Sequence, residues 1–490
     1  MAEKRKVLAF DYGASSGRAI VGEFDGKKIE LNEIHRFLNE PVTVSGSMYW
    51  DILRLYHELK QGILKCDALG GADAMGIDTW GVDVGFLDKD GKLLNNPFHY
   101  RDSHTENAVA RLEQVMPKKD LFAKVGLAFQ KFNTLCQLVT MKDNGNVALE
   151  NAKKMLFIPD LFNYFLTGEA ATEFTIASTA QMIVPGKTEW ATDVLNAYGV
   201  NTDMLTDIVP CASRLGNLSD SVMGELGIKK NMPVINVPEH DTASAFVSVP
   251  AGERNAAFLS SGTWSLLGTE LDHPILTEEA MLSGYTNEGG IGCNIRFLKN
   301  IMGLWIIQEC KRYWDKQGEV LSFAQIAEGA AKVPACKFLM NPDADEFFSP
   351  FEMPVKIQKY CADHGLPVPE TKFEIARCIY DSLALDYKHN ILALEKITGK
   401  KIEVLHIVGG GSNNAMLNQA TADALNIPVT AGPSEGTALG NILTQLISLG
   451  DIKNLAEARQ VVKNSTDIKE YLPKDTATYA QAYEKFVKLL

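Results

Sequence analysis

Residues 7–24 read VLAFDYGASSGRAIVGEF, and this stretch decides the fold. The apolar run at 7–10 ends at Asp11, and the turn GASSG separates it from a second apolar run. Two apolar runs joined by a turn rich in Gly and Ser predict a buried β-hairpin with a polar tip. The chain therefore opens with a strand pair that presents hydroxyls and backbone N–H groups at one end.

The same plan returns in the middle of the chain. Residues 255–270 read NAAFLSSGTWSLLGTE, and the two Ser-Ser-Gly turns begin at Ser15 and Ser260, which are 260 − 15 = 245 residues apart, half of 490. A match this short is also common turn chemistry. It nevertheless suggests two similar domains, each of which offers a loop to a shared cleft. The proline-containing stretch at 248–255 predicts the boundary, with domains at 1–248 and 249–490.

Composition and charge set limits on the class of protein. The 48 Lys plus Arg against 61 Asp plus Glu give a net charge of −13, which argues against a nucleic-acid or acidic-membrane partner. No window approaches the 18 apolar residues of a membrane span, and the N-terminal apolar run is too short for a signal peptide. The 8 cysteines have no zinc spacing, so reduced thiols in a cytoplasmic protein are expected. Cys361 and Cys378 flank a proline-containing turn that could bring them together as a pair; two free thiols are expected, and a disulfide stays the alternative.

Strand-like runs alternate with segments of helical period. Residues 6–10, 74–78, 234–237 and 404–408 are strand-like, whereas residues 377–396 carry one apolar stripe at helical spacing. This alternation predicts an α/β architecture.

Three glycine-bounded turns are candidate phosphate sites. GASSG with Arg18, SSGTWS with Thr263, and VGGGSNN with Gly410 each let backbone N–H groups approach an anion closely. Asp11 would reach a hydrated Mg²⁺ beside the first turn. Each turn has an alternative reading as plain turn structure. A dinucleotide fingerprint is weak because Asn414 stands where a third glycine belongs.

Two further segments could bind or activate a small substrate. In VPEHDTASAF, Asp241 follows an apolar run and could accept a proton from a substrate hydroxyl, or it could cap a helix that begins at Thr242. In GIDTWGVDVGF, Trp80 could stack on a sugar or could simply belong to the core. Neither segment has the spacing of a hydrolase or a metal site.

Taken in order, DYGASSGR, GIDTWGVD, PEHDTASA, SSGTWS, KNIMGLW, LHIVGGGSNN and GPSEGTALGN resemble the carbohydrate kinases of the FGGY family. The resemblance runs from the first strand to about Leu449. It implies two actin-like (ribonuclease H-like) ATPase domains flanking a central cleft, with sugar and phosphate binding in the first and nucleotide binding in the second. GASSGR, IDTWGVD and HDTASA together resemble the branch that transfers the ATP γ-phosphate to the 1-hydroxyl of L-rhamnulose, with Mg²⁺.

The resemblance also implies site residues. Asp241 would be the catalytic base and Asp11 would hold the metal through water. The sugar would be bound by Gly81, His240, Asp241, Thr242 and Asn300. ATP would be bound by Ala14, Ser15, Ser16, Gly17, Arg18, Thr263, Gln308 and Gly410.

Two other functions remain open from the sequence. A kinase of the same family could act on another ketose, such as L-fuculose or xylulose. An actin-like nucleotide switch would hydrolyse ATP to change shape, but it would need neither a sugar loop at Trp80 and Gly81 nor a poised Asp241. The oligomeric state is not indicated by the sequence.

Overall fold

Strands and helices alternate along the chain in a computed structural model that describes residues 4–250 and 255–490. The strands are β1 Arg5–Tyr12, β2 Ser16–Phe24, β3 Ile29–Leu38, β4 Val42–Val44, β5 Ser47–Tyr49, β6 Ala74–Thr79, β7 Val84–Leu87, β8 Lys154–Phe157, β9 Thr172–Glu173, β10 Ile208–Val209, β11 Ser213–Asn217, β12 Pro233–Asn236, β13 Ala256–Ser261, β14 Trp264–Leu271, β15 Thr286–Gly289, β16 Ile295–Met302, β17 Val404–Val408, β18 Val429–Ala431 and β19 Lys469–Tyr471.

The helices follow the same order along the chain. They are α1 Ile52–Ala68, α2 Ala108–Glu113, α3 Lys118–Val125, α4 Thr134–Asp143, α5 Val147–Asn151, α6 Ile158–Thr167, α7 Phe174–Ala177, α8 Thr192–Tyr198, α9 Asp220–Leu226, α10 Asp241–Val247, α11 Glu278–Leu282, α12 Trp305–Lys316, α13 Phe323–Ala330, α14 Met353–Asp363, α15 Lys372–Thr398, α16 Ala415–Leu425, α17 Gly436–Leu449, α18 Leu455–Ser465 and α19 Thr476–Phe486. No helix in the described part of the chain is both long and apolar enough to cross a membrane.

Two compact units divide the chain. Unit 1 contains Met1–Ser248, Glu270–Phe297 and Gly436–Ser465, and unit 2 contains Val249–Thr269, Leu298–Glu435 and Thr466–Leu490. Two segments from the second half of the chain thus belong to the first unit. The assignment of sugar binding to residues 1–248 and of nucleotide binding to residues 249–490 stays a prediction.

Unit 1 is built on a six-stranded sheet in the order β11-β12-β6-β1-β2-β3. β1 pairs antiparallel with β2 and parallel with β6, so the first hairpin lies inside the sheet. Successive residues of β1 point to opposite faces. Leu8 and Phe10 pack with Leu59 of α1, whereas Val7 and Ala9 pack with apolar side chains of α17. The apolar run at 7–10 is therefore continuous because both faces of its strand are covered.

Unit 2 repeats this strand order. In its sheet, the strands run β19-β18-β17-β13-β14-β16. β13 pairs antiparallel with β14 and parallel with β17, as β1 does with β2 and β6. The edge pairs β11–β12 and β18–β19 are both antiparallel. The internal repeat expected from the two Ser-Ser-Gly turns is therefore present in the fold.

The local sequence patterns correspond closely to the observed elements. The strand-like runs at 6–10, 74–78, 234–237 and 404–408 lie in β1, β6, β12 and β17, although β12 ends one residue early at Asn236. The helical stripe at 377–396 lies inside α15. All eight cysteines are free thiols in the structure, and the side chains of Cys361 and Cys378 are in contact.

Candidate functional site

Asp11 and Arg18 lie opposite each other near the tip of the first hairpin. They are register partners on β1 and β2, and Arg18 Nη2 donates to Asp11 Oδ2 at 2.5 Å. Asp11 is only 8% exposed. Part of the Arg18 charge is thus balanced by Asp11, which fixes both side chains at the end of the strand pair.

The turn between these strands is held by hydrogen bonds of its backbone. The Gly13 N–H donates to the Ser16 carbonyl at 3.0 Å, while Asn39 binds the carbonyls of Ser15 and Gly13. A Cβ at Gly17 would lie 2.1 Å from the Phe37 ring, so only glycine fits there. The Phe37 ring therefore packs directly against Gly17, whereas Ser15 is exposed at the tip of the hairpin.

A second carboxyl lies beside Asp11. Asp78 is its register partner on β6, is fully buried, and has an Oδ1 atom with no hydrogen-bond partner. Burial raises the pKa of Asp78 well above its ordinary value, and the nearby Asp11 charge raises it further. Oxygen ligands of this kind suit Mg²⁺, which keeps most of its waters. Among the described residues, no group of three or more His, Cys, Asp or Glu could hold a metal directly.

Unit 2 places Thr263 and Gln308 in contact. Thr263 follows β13 at the tip of the second hairpin, and its Oγ1 donates to Gln308 Oε1 at 3.3 Å. The Trp305 N–H donates to the Thr263 carbonyl, so the first turn of α12 binds the hairpin. A Cβ at Gly303 would lie 2.6 Å from the Trp264 backbone, which explains the glycine at this close approach.

Gly410 lies beyond β17, the parallel neighbour of β13. Its own Cβ position meets nothing within 4 Å, whereas a Cβ at Gly411 would lie 2.0 Å from Ser261 Oγ. Gly409 has φ +82°, a conformation that L side chains rarely adopt. Two of the three glycines are therefore required for packing and backbone geometry, and Gly410 is the one that leaves open space for a ligand.

The structure divides the predicted residues between the units. Gly81, His240, Asp241, Thr242 and the first hairpin lie in unit 1, whereas Thr263, Asn300, Gln308 and Gly410 lie in unit 2. Asn300 is on β16, and its Oδ1 is buried without a partner. Its assignment to the sugar stays a prediction.

Gly81 lies tightly against Thr179. A Cβ at Gly81 would be 2.9 Å from Thr179 Cγ2, and Thr179 Oγ1 accepts the Val82 N–H at 3.0 Å. Val82 itself has φ +66°, which is a strained conformation for a β-branched residue. Strain of this kind concentrates at functional sites. Trp80, in contrast, is 6% exposed and its ring centroid is 4.0 Å from that of Trp50, which supports its core interpretation.

Asp241 is the first residue of α10, and His240 is the N-cap residue. The alternative in which Asp241 caps a helix starting at Thr242 is therefore wrong. Asp241 has 32% side-chain exposure, its Oδ1 accepts from Thr242 Oγ1 at 3.0 Å, and His240 Nε2 lies 3.5 Å away. An accessible carboxylate at this position can accept a proton from a bound hydroxyl.

Sequence reasoning missed Glu288 and Arg296, which bind His240 from behind. Arg296 is fully buried; its Nη2 lies 3.1 Å from His240 Nδ1 and 3.0 Å from Glu288 Oε2, and its Nε donates to the Gly289 carbonyl. Burial opposes ionisation of Glu288, but the Arg296 charge and the hydrogen bonds bring its pKa below the ordinary value. The signal that could have revealed them is the presence of charged residues, Glu288 and Arg296, within the otherwise buried strands β15 and β16.

Comparisons with known proteins agree with this geometry. The FGGY family of carbohydrate kinases matches with its N-terminal domain at residues 6–248 and its C-terminal domain at residues 257–449. A rhamnulokinase of Bacteroides thetaiotaomicron is 42% identical over 484 residues, covering 99% of both chains. A rhamnulokinase of Halalkalibacterium halodurans is 40% identical over 469 residues, covering 96% of this chain and 99% of the other.

A solved structure shows the same fold. The ligand-bound xylulose kinase from Lactobacillus acidophilus has a TM-score of 0.83 at 16% identity and covers 99% of this chain and 97% of its own. The expected architecture of two actin-like ATPase domains is confirmed. Family matches over most of the chain and relatives near 40% identity lead to one conclusion: this chain belongs to the FGGY family of carbohydrate kinases.

Proposed function

We propose that this protein transfers the γ-phosphate of ATP to the 1-hydroxyl of L-rhamnulose, yielding L-rhamnulose 1-phosphate and ADP. The observation that carries the proposal is the 42% identity over 99% of the chain with a rhamnulokinase. Relatives at 38–40% identity with the same name support it over similar lengths. A rival ketose kinase or a nucleotide switch has no comparable relative among these.

Asp241 is the proposed base. Its carboxylate is partly exposed and beside His240, so a sugar hydroxyl can approach it without displacing a buried ion pair. As the hydroxyl oxygen bonds to the γ-phosphorus, Asp241 accepts its proton, and the bond from phosphorus to the ADP oxygen breaks. The transition state is loose, so the proton moves late and a strong base is not required.

Gly81, His240 and Thr242 are proposed to position the sugar with Asp241. Gly81 offers backbone at a place where Thr179 leaves no room for a side chain. His240 is held by Arg296 and Glu288, so its ring is oriented before the sugar binds. Such preorganisation lowers the barrier because the donors need not rearrange as charge develops. Asn300 is proposed as a further sugar ligand from unit 2.

Glycine-bounded turns are proposed to bind the nucleotide. In unit 2 these are the Thr263 hairpin with Gln308 and the open backbone at Gly410. In unit 1 the contacts are Ala14, Ser15, Ser16, Gly17 and Arg18. Hydroxyls, N–H groups and one guanidinium supply a local positive field although the chain as a whole is acidic.

The residues beside the first hairpin fit a hydrated Mg²⁺. Asp11 would hold the ion through a water molecule, and the unsatisfied Oδ1 of Asp78 would accept a hydrogen bond from another of its waters. When bound with ATP, the ion neutralises charge on the phosphate oxygens. The protein itself contributes two carboxyls held at fixed positions on β1 and β6.

A coupled assay for ADP tests the proposal. We expect ADP release that depends on L-rhamnulose and is at least about 10-fold slower with L-fuculose or D-xylulose at equal concentration. Faster turnover of either alternative sugar would reassign the substrate. ADP release of equal size without any sugar would instead support a nucleotide switch.

A further inference from the structure

Three buried carboxyl groups interact with one another beside the turn that leads to the proposed base, and none of them belongs to the predicted site. Asp160 of α6, Glu173 of β9 and Glu239 in the turn after β12 are 3%, 0% and 0% exposed. All three belong to unit 1. Glu239 is separated from Asp241 only by His240. We call these residues the carboxyl cluster.

The hydrogen bonds within this cluster require a proton. Asp160 Oδ1 accepts the Glu173 N–H at 2.9 Å, and Glu239 Oε1 accepts from Asn163 Nδ2 at 2.7 Å. The other two oxygens, Asp160 Oδ2 and Glu239 Oε2, have no N–H or O–H donor from any described group. The two side chains are nevertheless in hydrogen-bond contact with each other. Two carboxyl oxygens attract only when one carries a proton, so a proton shared by Asp160 and Glu239 would account for this contact.

The third carboxyl and the backbone connect this pair to the base. Glu173 Oε2 accepts the N–H groups of Thr175, Ile176 and Glu239 at 2.8, 3.0 and 3.1 Å. The Glu239 carbonyl accepts the Thr79 N–H at 2.8 Å, and the His240 N–H donates to Thr175 Oγ1 at 3.3 Å. The two residues that precede Asp241 are thus held at three backbone positions. A shift of the Glu239 side chain would be passed directly to the first residue of α10.

We propose that Asp160 and Glu239 are positioning residues, whose shared proton holds the His240–Asp241 turn in the geometry that presents Asp241 to the sugar. This inference rests on the proposed function. Loss of the proton leaves two carboxylates in contact in a buried site, where neither can be solvated. They separate, Glu239 moves, and sugar phosphorylation falls.

The groups around Asp160 and Glu239 indicate that the shared proton is lost at alkaline pH. Burial raises the pKa of Asp160 to about 8; the contact with Glu239 lowers it in part, and the Glu173 charge adds to the rise. Burial and the Asp160 and Glu173 charges raise the pKa of Glu239 well above its ordinary value. Burial likewise raises the pKa of Glu173 to about 7. The other titratable or charged groups that act on the cluster are the Cys211 and Cys293 thiols and the Arg296 guanidinium. Only Arg296 is cationic, and Glu288 already balances it.

Two single substitutions replace the shared proton with a permanent N–H group. In Glu239→Gln, Oε1 keeps the bond from Asn163 and Nε2–H donates to Asp160 Oδ2. In Asp160→Asn, Oδ1 keeps the bond from the Glu173 N–H and Nδ2–H donates to Glu239 Oε2. Each variant should keep turnover within about threefold of the original at pH 7 and move the alkaline midpoint of kcat/KM up by at least about one pH unit. Glu173 is retained in all these proteins, and its charge acts on both members of the pair.

The double variant is the decisive case. Asp160→Asn with Glu239→Gln sets two NH₂ groups against each other, so we expect turnover to fall at least about 10-fold and the thermal midpoint to drop, although each single change is tolerated. Asp386→Asn is the matched control, because Asp386 is a buried carboxyl of unit 2 with a pKa raised to about 8 by burial. It should leave the alkaline midpoint of activity unchanged.

Three results would overturn the inference. The first is an unchanged alkaline midpoint in both single variants, and the second is a double variant no worse than the product of the singles. The third is a change confined to the pH dependence of thermal unfolding, which would make the pair structural only. The thermal midpoints of the original protein, the two single variants and the double variant can be compared without substrate. Absence of L-rhamnulose phosphorylation in the original protein would contradict the proposed function. The comparison of thermal midpoints would still decide whether the proton is shared.

Discussion

Asn441 Nδ2 donates a hydrogen bond to Asp78 Oδ2 at 2.6 Å, although 363 residues separate them in the chain. The bond joins α17 to β6 inside unit 1, and Gln445 Nε2 in turn donates to Asn441 Oδ1 at 2.7 Å. Helix α17, at the end of the family match, thus provides a hydrogen bond to Asp78, the carboxyl that neighbours Asp11.

Replacement of Asn441 by Leu should destabilise unit 1. The substitution leaves both oxygens of a fully buried Asp78 without a donor, so we expect a loss of about 1–3 kcal/mol in the free energy of unfolding. Thr444→Val is the control on the same helix, because Thr444 is buried and binds only the Gly440 carbonyl of its own helix. It should cost less than about 1 kcal/mol. If urea unfolding gives the same loss of free energy for Asn441→Leu and Thr444→Val, the hydrogen bond to Asp78 does not stabilise the protein more than a bond within the helix does.

Asp241→Asn should lower turnover by roughly 10²- to 10⁴-fold, because the amide cannot accept the hydroxyl proton. The change is isosteric and partly exposed, so ADP affinity measured by calorimetry should remain within about twofold. Asp220→Asn is the matched control, since Asp220 is also the first residue of a seven-residue helix in unit 1 but is exposed on α9. Near-normal turnover in Asp241→Asn would refute the base assignment.

Gly81→Ala should weaken sugar binding. The new Cβ would lie 2.9 Å from Thr179 Cγ2, so Thr179 must move and release the Val82 N–H that it accepts. Overpacking of this kind costs about 1–3 kcal/mol, which corresponds to a rise of about 5- to 150-fold in the KM for L-rhamnulose. The KM for ATP should change little.

Gly224→Ala provides the contrasting glycine. Gly224 lies within α9, and a Cβ there meets nothing within 4 Å. We expect it to stabilise the protein by up to about 1 kcal/mol without affecting either KM. An unchanged sugar KM in Gly81→Ala would place Gly81 outside the sugar site.

His99 should make the protein sensitive to mild acid. Its ring stacks on Trp50 with centroids 4.1 Å apart, its Nδ1 accepts the Arg101 N–H, and burial lowers its pKa to about 4. The unfolded chain gains the proton near pH 6.5 and the folded one only near pH 4. This contribution to stability is therefore complete above pH 6.5 and is lost as the pH falls to 4, by up to about 3 kcal/mol.

The measurement is urea unfolding between pH 4 and 7. His99→Asn keeps an acceptor for the Arg101 N–H and should flatten this part of the curve, whereas replacement of the exposed His57 of α1 by Asn should not change its slope. An unaltered slope in His99→Asn would assign the acid sensitivity to other groups.

Much of the fold could be predicted from local pattern. The run at 404–408 matches β17 residue for residue, because its apolar composition and the glycines that follow it are local signals. The two Ser-Ser-Gly turns correctly indicated two similar units, since each turn lies at the end of a strand with the same neighbours. The family of the chain was also readable from its ordered motifs.

Other features could not be predicted because they depend on contacts between distant residues. Nothing in the segments 270–297 and 436–465 indicated that they belong to unit 1. Asp160, Glu173 and Glu239 are ordinary acidic residues in the sequence, and only their common burial makes a proton necessary. The capping alternative for Asp241 also looked reasonable, since Asp is a favoured N-cap residue and the start of α10 differs by one position.

The amino-acid sequence by itself determined the hairpins, the alternation of strands and helices, and the motifs that identify an FGGY carbohydrate kinase. Each of these depends on side-chain period and turn chemistry within a few residues. Only the tertiary structure decided that Arg296 and Glu288 would hold His240, that Asn441 would bind Asp78, and that two carboxyls would share a proton. Those relationships arise because packing removes water from groups far apart in the chain, and a desolvated polar group must then find its partner within the protein.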